Sequence, residues 1–388
     1  MRKSALFAFG LVVTMLVTLG LVVLSSARID YMTRQLVYLA IAIVVVAGVA
    51  SIDYHIWRYR PALTVLFCGA ILALLVAVLF MPAIKGSHRW FKIGTSISLQ
   101  PSEFAKLAIV IVLSAWLDYV GWQVGRFVRG ALMPAVFIGI MAVPVLLEPD
   151  FGSVMVIGAV GFMLMFMAGT RILHMLPFAG AGLAVFVYRV VTNPNRMARL
   201  NSFFGGKLES LFGEKLQLLA GDGGTNAVDI AASNAAYQVK QALIAIANGG
   251  LTGVGLNQSM QKHQYLPESY TDFILAIGAE ELGIGFSIAV LMLFALFFAL
   301  AVYIARKAPD RYGRFLVMGM TFVVFFQAMF NVGVVCKALP TKGVALPFFS
   351  YGGTNLICSF FAVGTILSVG VQSFKERKRV FLRKVVMR

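Results

Sequence analysis

A chain of 388 residues that is 60% hydrophobic and only 13% charged is far more apolar than a soluble domain, where about a quarter of residues are charged. That excludes a water-soluble globule. The formal charge of +17 could point to nucleic acid, but the Lys and Arg residues fall between apolar blocks and in the tail, not on one soluble face. Topology signals and attraction to anionic lipid head groups account for them instead, and no nucleic-acid partner is expected.

The apolar blocks have about the length a helix needs to cross ~30 Å of hydrocarbon. In chain order they fall at 5–24, 36–51, 62–81, 104–121, 131–147, 152–169, 176–190, 273–304, 315–335 and 355–372. This spacing predicts an all-α, polytopic membrane protein with about ten transmembrane helices, forming a single membrane domain over 1–388. The first block follows Met1-Arg2-Lys3 as a secretion signal would, but it exceeds the ~7–15 apolar residues of such a signal. It reads as an uncleaved first span.

Between the seventh and eighth blocks lies a large loop, 191–272, too polar to cross lipid as a unit. A basic tail, 373–388, closes the chain. Arg2, Lys3, Arg58, Arg60, Arg126, Arg129, Arg171, Arg306, Lys307, Arg311 and Arg314 join that tail on one side if both termini are cytoplasmic, the orientation the basic bias favours. The segments 82–103, 148–152, 191–272 and 336–354 then face outward. Of these, 85–106 mixes aromatic and basic residues with Gly94 and Pro101 and is expected to lie in the interface or dip back. The stretch 337–356 is apolar but broken by Pro340, Pro347, Gly352 and Gly353. Non-helical backbone at membrane depth survives only where protein or a water-filled cavity satisfies it, so the outer segments are expected to converge on a polar cavity.

No internal repeat is visible, which weighs against transporter folds built from paired halves. Cys68, Cys336 and Cys358 lack a disulfide or zinc spacing and read as packing residues. His88 and His263 have no metal-ligand arrangement, so no metal site is expected.

With only sixteen Asp and Glu in the chain, each carboxylate near lipid needs a reason, since such groups normally face a cavity or a cation. Glu103, Glu148, Asp150, Glu268, Asp272, Glu280 and Glu281 all lie near the outer ends of apolar runs, with Lys106, Arg89, Lys240 and Lys342 available as partners. Asp272, in "YLPESYTDF" (265–273), stands where a polar loop enters a long apolar helix. It suits an N-cap and equally a catalytic carboxylate. "EPDFGS" (148–153) reads as a hairpin with Pro149 ending one helix and Asp150 capping the next. Glu280 and Glu281, two turns further on, read as packing or ion-pairing residues.

The runs "RWFKIGTSISLQPSEFAKLA" (89–108), "EPDFGS" (148–153), "AYQVKQALIAIANGGLTGVGLNQSMQKHQYLPESYTDFILAIGAEELG" (236–283) and "LPTKGVALPFFSYGGTNLI" (339–357) closely resemble the FtsW/RodA/SpoVE family, the SEDS proteins of bacterial cell-wall synthesis. The resemblance spans nearly the whole chain. The "LPTKGVALPFFSYGG" stretch is more like the division-associated FtsW branch than the elongation-associated RodA branch.

The resemblance implies a peptidoglycan glycosyltransferase that polymerises lipid II at the outer face of the bacterial cytoplasmic membrane, for septal wall synthesis. The family's essential aspartate falls on Asp272, and Glu268, Lys106, Glu103 and Asp150 match polar positions around its central cavity. Arg89, Arg196, Lys240, Lys342 and Ser350 complete the expected substrate-binding set, with Lys92 and Arg199 as further cations for the pyrophosphate. No organic cofactor is implied; a divalent cation, Mg2+ or Mn2+, is the one addition the chemistry would accept. The implied partners are lipid II, the growing glycan, a class B penicillin-binding protein, division-complex proteins and membrane lipids. Two departures stand out: "AIGAEELG" (276–283) where the family has "IIGEELG", and a longer, glycine-containing stretch at 205–233. A lipid II flippase and an elongation-type polymerase are the rival readings.

Overall fold

The structure, a computed structural model, describes residues 3–82, 89–93, 97–204, 225–263 and 265–386. Among them, ten helices are long and apolar enough to cross a bilayer, as the sequence predicts. The first seven belong to α1 (Lys3–Ala27), α2 (Met32–Ser51, entered through a 3-10 turn at Ile29–Tyr31), α3 (Pro61–Val78), α4 (Pro101–Val120), α5 (Met133–Leu147), α6 (Phe151–Ala168) and α7 (Ile172–Val191). The polar loop then forms α8 (Pro194–Phe203) and α9 (Thr225–Gly249), after which α10 (Ile274–Lys307), α11 (Arg311–Val335) and α12 (Gly353–Val386) complete the bundle.

Hydrocarbon offers no hydrogen-bond partners, so these segments must satisfy their backbone internally, and a helix does so within one segment. Their ends carry the expected signals. Proline occupies the first turn of α3 and α4, where a missing N–H costs nothing. The Asp150 carboxylate accepts from Ser153 N at the start of α6, at 3.4 Å, and Asp310 accepts from Gly313 N at the start of α11, at 3.0 Å. The hairpin reading of 148–153 is therefore correct.

The bundle is layered around α4, α11 and α12, whose central residues are mostly buried, whereas α7 has only 11% of its apolar window covered by the rest of the chain. α12 packs along α2, α11 against α4, and α1 against α10; the Phe9 and Phe297 rings of the last pair lie 5.0 Å apart. Because α1 supplies fully buried Phe9 and Leu16 to this core, it is built into the fold as a span.

Several expectations need correction. α4 starts at Pro101, not 104, which brings Glu103 into the helix with Lys106, both buried. The segment before it forms a hairpin, β1 (Phe91–Ile93) antiparallel to β2 (Ile97–Leu99), the only strands among the described residues; the all-α class otherwise stands. α12 does not end at 372 but runs on as helix to Val386, since Lys, Arg and Glu are good helix formers. Cys358 is buried and Cys68 half-buried, but Cys336 is exposed and so is not a packing residue. His88 and residues 205–224 of the 205–233 stretch lie outside the described residues; α9 begins at Thr225.

Asp272 is not at the N-cap. α10 begins one residue later than an aspartate cap requires: Phe273 occupies that position with no side-chain cap bond, because 265–273 runs as successive turns up to it. This leaves the carboxylate of Asp272 outside the helix.

Candidate active site

The described parts of the segments read as outward-facing gather at one end of the bundle: 89–93, 97–100, 148–150, 192–204, 225–263, 265–272 and 336–352. The last of these is the non-helical stretch. Leu346, Phe348, Phe349 and Ser350 are buried, and the Phe348 and Phe349 rings pack among Phe294, Phe297 and Phe360. Side chains satisfy its backbone. Asn331 Nδ2 donates to the Val344 carbonyl at 2.7 Å, and Ser350 Oγ accepts from Leu346 N at 2.8 Å. This is the arrangement that irregular backbone at membrane depth requires.

The same two side chains hold the Asp272 segment. Asn331 Nδ2 also donates to the Asp272 carbonyl at 2.7 Å, Ser350 Oγ donates to the Thr271 carbonyl, and Tyr351 N donates to the Tyr270 carbonyl at 2.9 Å. Gly343 lies so close that a Cβ there would sit 2.5 Å from Asp272 Oδ2, so a side chain at 343 would push the carboxylate aside. Glu268, four residues before Asp272, has φ +55; a non-glycine residue in that region costs about 1–3 kcal/mol and such strain gathers at functional sites.

Behind Asp272, α10 is kinked at Gly283, with φ +79, and the 250–255 loop fills the break. Ile284 N donates to the Gly250 carbonyl, while Val254 N and Gly255 N take the Glu280 and Glu281 carbonyls. The two glutamates are buried; Glu281 is ion-paired and Glu280 is held by neutral donors. Glu281 Oε1 accepts from Lys262 Nζ at 3.0 Å and from Ser26 Oγ of α1 at 2.5 Å; Glu280 Oε2 accepts from Ser259 Oγ and Gln261 N. The loop leading to Asp272 is thereby tied to both helices.

Beside this lies a cation cluster. Arg196 Cζ is 3.9 Å and Lys342 Nζ 4.8 Å from the centre of the Phe151 ring, two cations on one aromatic ring. Arg89 donates to the Glu148 and Pro149 carbonyls, which places its charge at the same turn. Arg199, exposed on α8, attracts Asp272 and repels Arg89. Within the cluster, Asp150 accepts from Ser102 Oγ and Gln100 Nε2 at 3.1 Å each and from Ser153 Oγ at 2.7 Å.

These neighbours set the charge states. Burial pushes the Asp150 carboxyl up, but Arg89, then Lys342 and the Ser153 bond, outweigh it and hold the acid down at about 2. Burial, followed by repulsion from Asp150, pushes Glu148 up to about 8 against the pull of Arg89. Burial pushes the Lys342 ammonium down to about 7; Asp150 opposes this, and Arg89, Arg196 and Arg199 reinforce it. Lys342 Nζ is buried and hydrogen-bonds to none of the described residues. An ammonium in that state among three guanidiniums is a cation awaiting an anion.

Of the expected site residues, Asp150, Arg89, Arg196 and Lys342 meet at Phe151, and Asp272 stands beside them through Gly343 and Arg199. Lys106 and Glu103 form their own buried pair at 2.6 Å, completed by Asn355 on Glu103 at 3.0 Å. They lie one step behind Asp150, whose charge Lys106 supports. Ser350 Oγ bonds two backbone groups, the Leu346 N–H and the Thr271 carbonyl, and so holds the Asp272 segment. Lys240 is elsewhere. It lines a cavity of about 430 Å3 between α8, α9 and 337–341, which Arg199 and Thr341 join to the Asp272 region. Lys92 is exposed on β1. Sequence reasoning missed Asn331, Gln100, Ser102 and Phe151; for Asn331 the signal was present, since Gln327 and Asn331 are four apart on an otherwise apolar span and so share one face.

A many-spanned membrane protein with a carboxylate and a cluster of cations at one mouth of its bundle is the class these features define. Residues 3–375 match the family FTSW_RODA_SPOVE, described as "cell cycle protein", and the chain belongs to that family. It is 34% identical to stage V sporulation protein E of Bacillus subtilis over 92% of this chain and 95% of that one. It is 32% identical to the probable peptidoglycan glycosyltransferase FtsW of Coxiella burnetii over 92% and 94%. Among solved structures, Thermus thermophilus rod shape determining protein RodA superposes with a TM-score of 0.65 at 24% identity, covering 94% of this chain and 96% of that one. A chain from a peptidoglycan synthase complex that coordinates polymerization and crosslinking gives 0.69 at 22%, covering 95% and 98%. Both likenesses concern the fold.

Proposed function

We propose that the chain is a peptidoglycan glycosyltransferase that joins lipid-linked disaccharides into glycan strands, with Asp272 as its general base. The observation that carries this reading is the placement of an aspartate, held by Asn331 and Ser350 on both sides of its peptide, next to a cluster in which cations outnumber the one carboxylate, Asp150. In the reaction, an acceptor sugar hydroxyl attacks the anomeric carbon of the donor. The new C–O bond forms as the bond from that carbon to the pyrophosphate oxygen breaks, the electron pair leaves with the pyrophosphate, and Asp272 takes the hydroxyl proton. A positioned base of this kind contributes about 10²–10⁴ in rate.

Lys342, Arg196, Arg199 and Arg89 receive the charge that develops on the leaving group. Because the pyrophosphate leaves readily, no second carboxyl acting as acid is needed, in contrast to hydrolysis by a carboxylate pair. Among the described residues no group of three His, Cys, Asp or Glu side chains comes together to cage a metal. The proposed steps use the cationic side chains.

The site faces the outer side of the bacterial cytoplasmic membrane, with both termini inside, and the substrate is lipid II. FtsW relatives favour a role in division. A class B penicillin-binding protein is the partner that would crosslink the strands, in keeping with the synthase complex that shares the fold.

The test uses purified protein, labelled lipid II and detergent. Glycan ladders are expected. A flippase or transporter has no second compartment in detergent and would yield none, so absence of polymer from active preparations would overturn the polymerase reading.

A further inference from the structure

The rest of the chain covers only 17% of the apolar window of the second span, and α2 buries just three residues: Gln35, Tyr38 and Ala42. Positions 35, 38 and 42 share one helical face. The side of α2 that meets the protein therefore begins with an amide and a phenol, although the rest of the helix is apolar. An amide taken out of water is costly unless it finds partners, and both polar side chains find them in backbone at the outer mouth.

Gln35 Nε2 donates to the Ser350 carbonyl at 3.4 Å, and Gln35 Oε1 accepts from Gly352 N at 3.5 Å. Each bond is long, but two on one planar amide clasp the turn that enters α12 in two places. Ser350 Oγ is the group that holds the Thr271 carbonyl, and Tyr351 N, between the two clasped groups, holds the Tyr270 carbonyl. Gln35 thus supports the two bonds that fix the chain just before Asp272.

Tyr38 supports the other half of the site. Its hydroxyl accepts from Ser98 N on β2 at 2.9 Å, and its ring lies so close to Gly353 that a Cβ there would overlap it. The Ser98 carbonyl accepts from Thr354 Oγ1 at 3.1 Å, and the same oxygen accepts from Gln100 N at 3.1 Å. Gln100 Nε2 then donates to Asp150 in the cation cluster. We propose that Gln35 and Tyr38 are positioning residues: α2 braces the Asp272 segment with one side chain and the Asp150 cluster with the other, and so sets the placement of the base against the leaving-group site. The consequence for turnover rests on the polymerase reading; the brace does not.

The test combines lipid II turnover, pyrophosphate binding and hydrogen exchange on the full chain in detergent. Gln35→Met keeps the side chain's length and removes both bonds. Its kcat should fall about 10- to 100-fold, the size of loss that a misplacement near 1 Å produces. KM should hardly move, because the cation cluster stays in place. Tyr38→Phe should show the opposite split, with a higher KM and inorganic pyrophosphate bound about tenfold more weakly, as expected for one lost hydrogen bond. Ala42→Val crowds the same face of α2 and is the structural control, lowering the melting temperature while both constants hold. In Gln35→Met the amides of 346–352 and 270–273 should exchange faster, and those of α6 should not.

Should Gln35→Met fail to fold, Gln35→Asn replaces it, since its amide is one methylene too short to span both groups. Unaltered kcat in the folded Gln35 variant, an equal loss of kcat in Ala42→Val, or unchanged exchange at 346–352 would overturn the proposal. If the unaltered protein makes no polymer, faster exchange in Gln35→Met with weakened pyrophosphate binding in Tyr38→Phe would leave the brace standing and remove only the enzymatic reading.

Discussion

At the end of the bundle that holds the 52–60 and 308–310 turns, Arg58 bridges Asp118 at 3.0 Å and Asp310 at 3.2 Å, and His55 lies between Asp53 at 2.7 Å and Asp310 at 3.3 Å. Tyr54 donates to Asp310 at 2.7 Å, and Asp53, His55, Arg58, Asp118 and Asp310 each have an opposite neighbour. At the other end, three guanidiniums and a single carboxylate, Asp150, act on Lys342, whose ammonium bonds to none of the described residues. The first arrangement is complete and has the form of a structural fastening. The second is complete only when an anion arrives. Charge left unbalanced in a fold that balances it elsewhere marks the functional end, which a count of ionisable residues would not separate from the other.

The largest expected break in this contrast is Asp272→Ala. Polymer yield should fall by about 10²–10⁴ with unchanged thermal melting, read by gel analysis of the glycan product. Next, Lys342 sharpens the description of the cation cluster. A bound anion raises its pKa from about 7, so binding takes up a proton and pyrophosphate affinity should weaken as pH rises above about 7. Lys342→Arg should remain charged and flatten that dependence, as titration of inorganic pyrophosphate at several pH values would reveal.

The brace behind Asp272 comes third. Lys262→Met leaves Glu281 buried without its cation and should lower stability by about 3 kcal/mol, measured by thermal melting against the unaltered protein. At the balanced end the effects should be small. Arg58 is 39% exposed, so Arg58→Gln should cost about 1 kcal/mol or less. His55 is raised above its ordinary value by Asp310, with burial opposing and Asp53 assisting. Its contribution is therefore full below about pH 6.5 and is lost as pH rises through the raised value. His55→Gln should remove that part of the pH dependence of melting.

The spans were legible because hydrocarbon imposes one rule on length and composition, and all ten appear close to where apolar runs put them. Asp150 as a cap was legible for the same local reason. What the sequence hides is convergence. Phe151 looks like one more apolar residue at the start of a span, yet its ring gathers Arg196 from α8 and Lys342 from a stretch nearly two hundred residues further on. Lys240 reads as one of the substrate cations, but the turn of α9 carries it to a separate cavity. Ser350 resembles a ligand-binding hydroxyl until its two backbone partners are seen. Glu103 and Lys106, three residues apart on α4, find each other first. Local rules set the elements and their caps, whereas these meetings depend on how segments distant in sequence pack.

The most direct measurement is glycan polymerisation by purified protein carrying Asp272→Asn, which keeps the side chain's size and removes its basicity, compared with the unaltered protein on the same lipid II and at the same substrate occupancy. The account predicts that the variant binds lipid II with comparable affinity and makes no detectable strands. Strands of normal length and yield from the Asp272→Asn protein would contradict it.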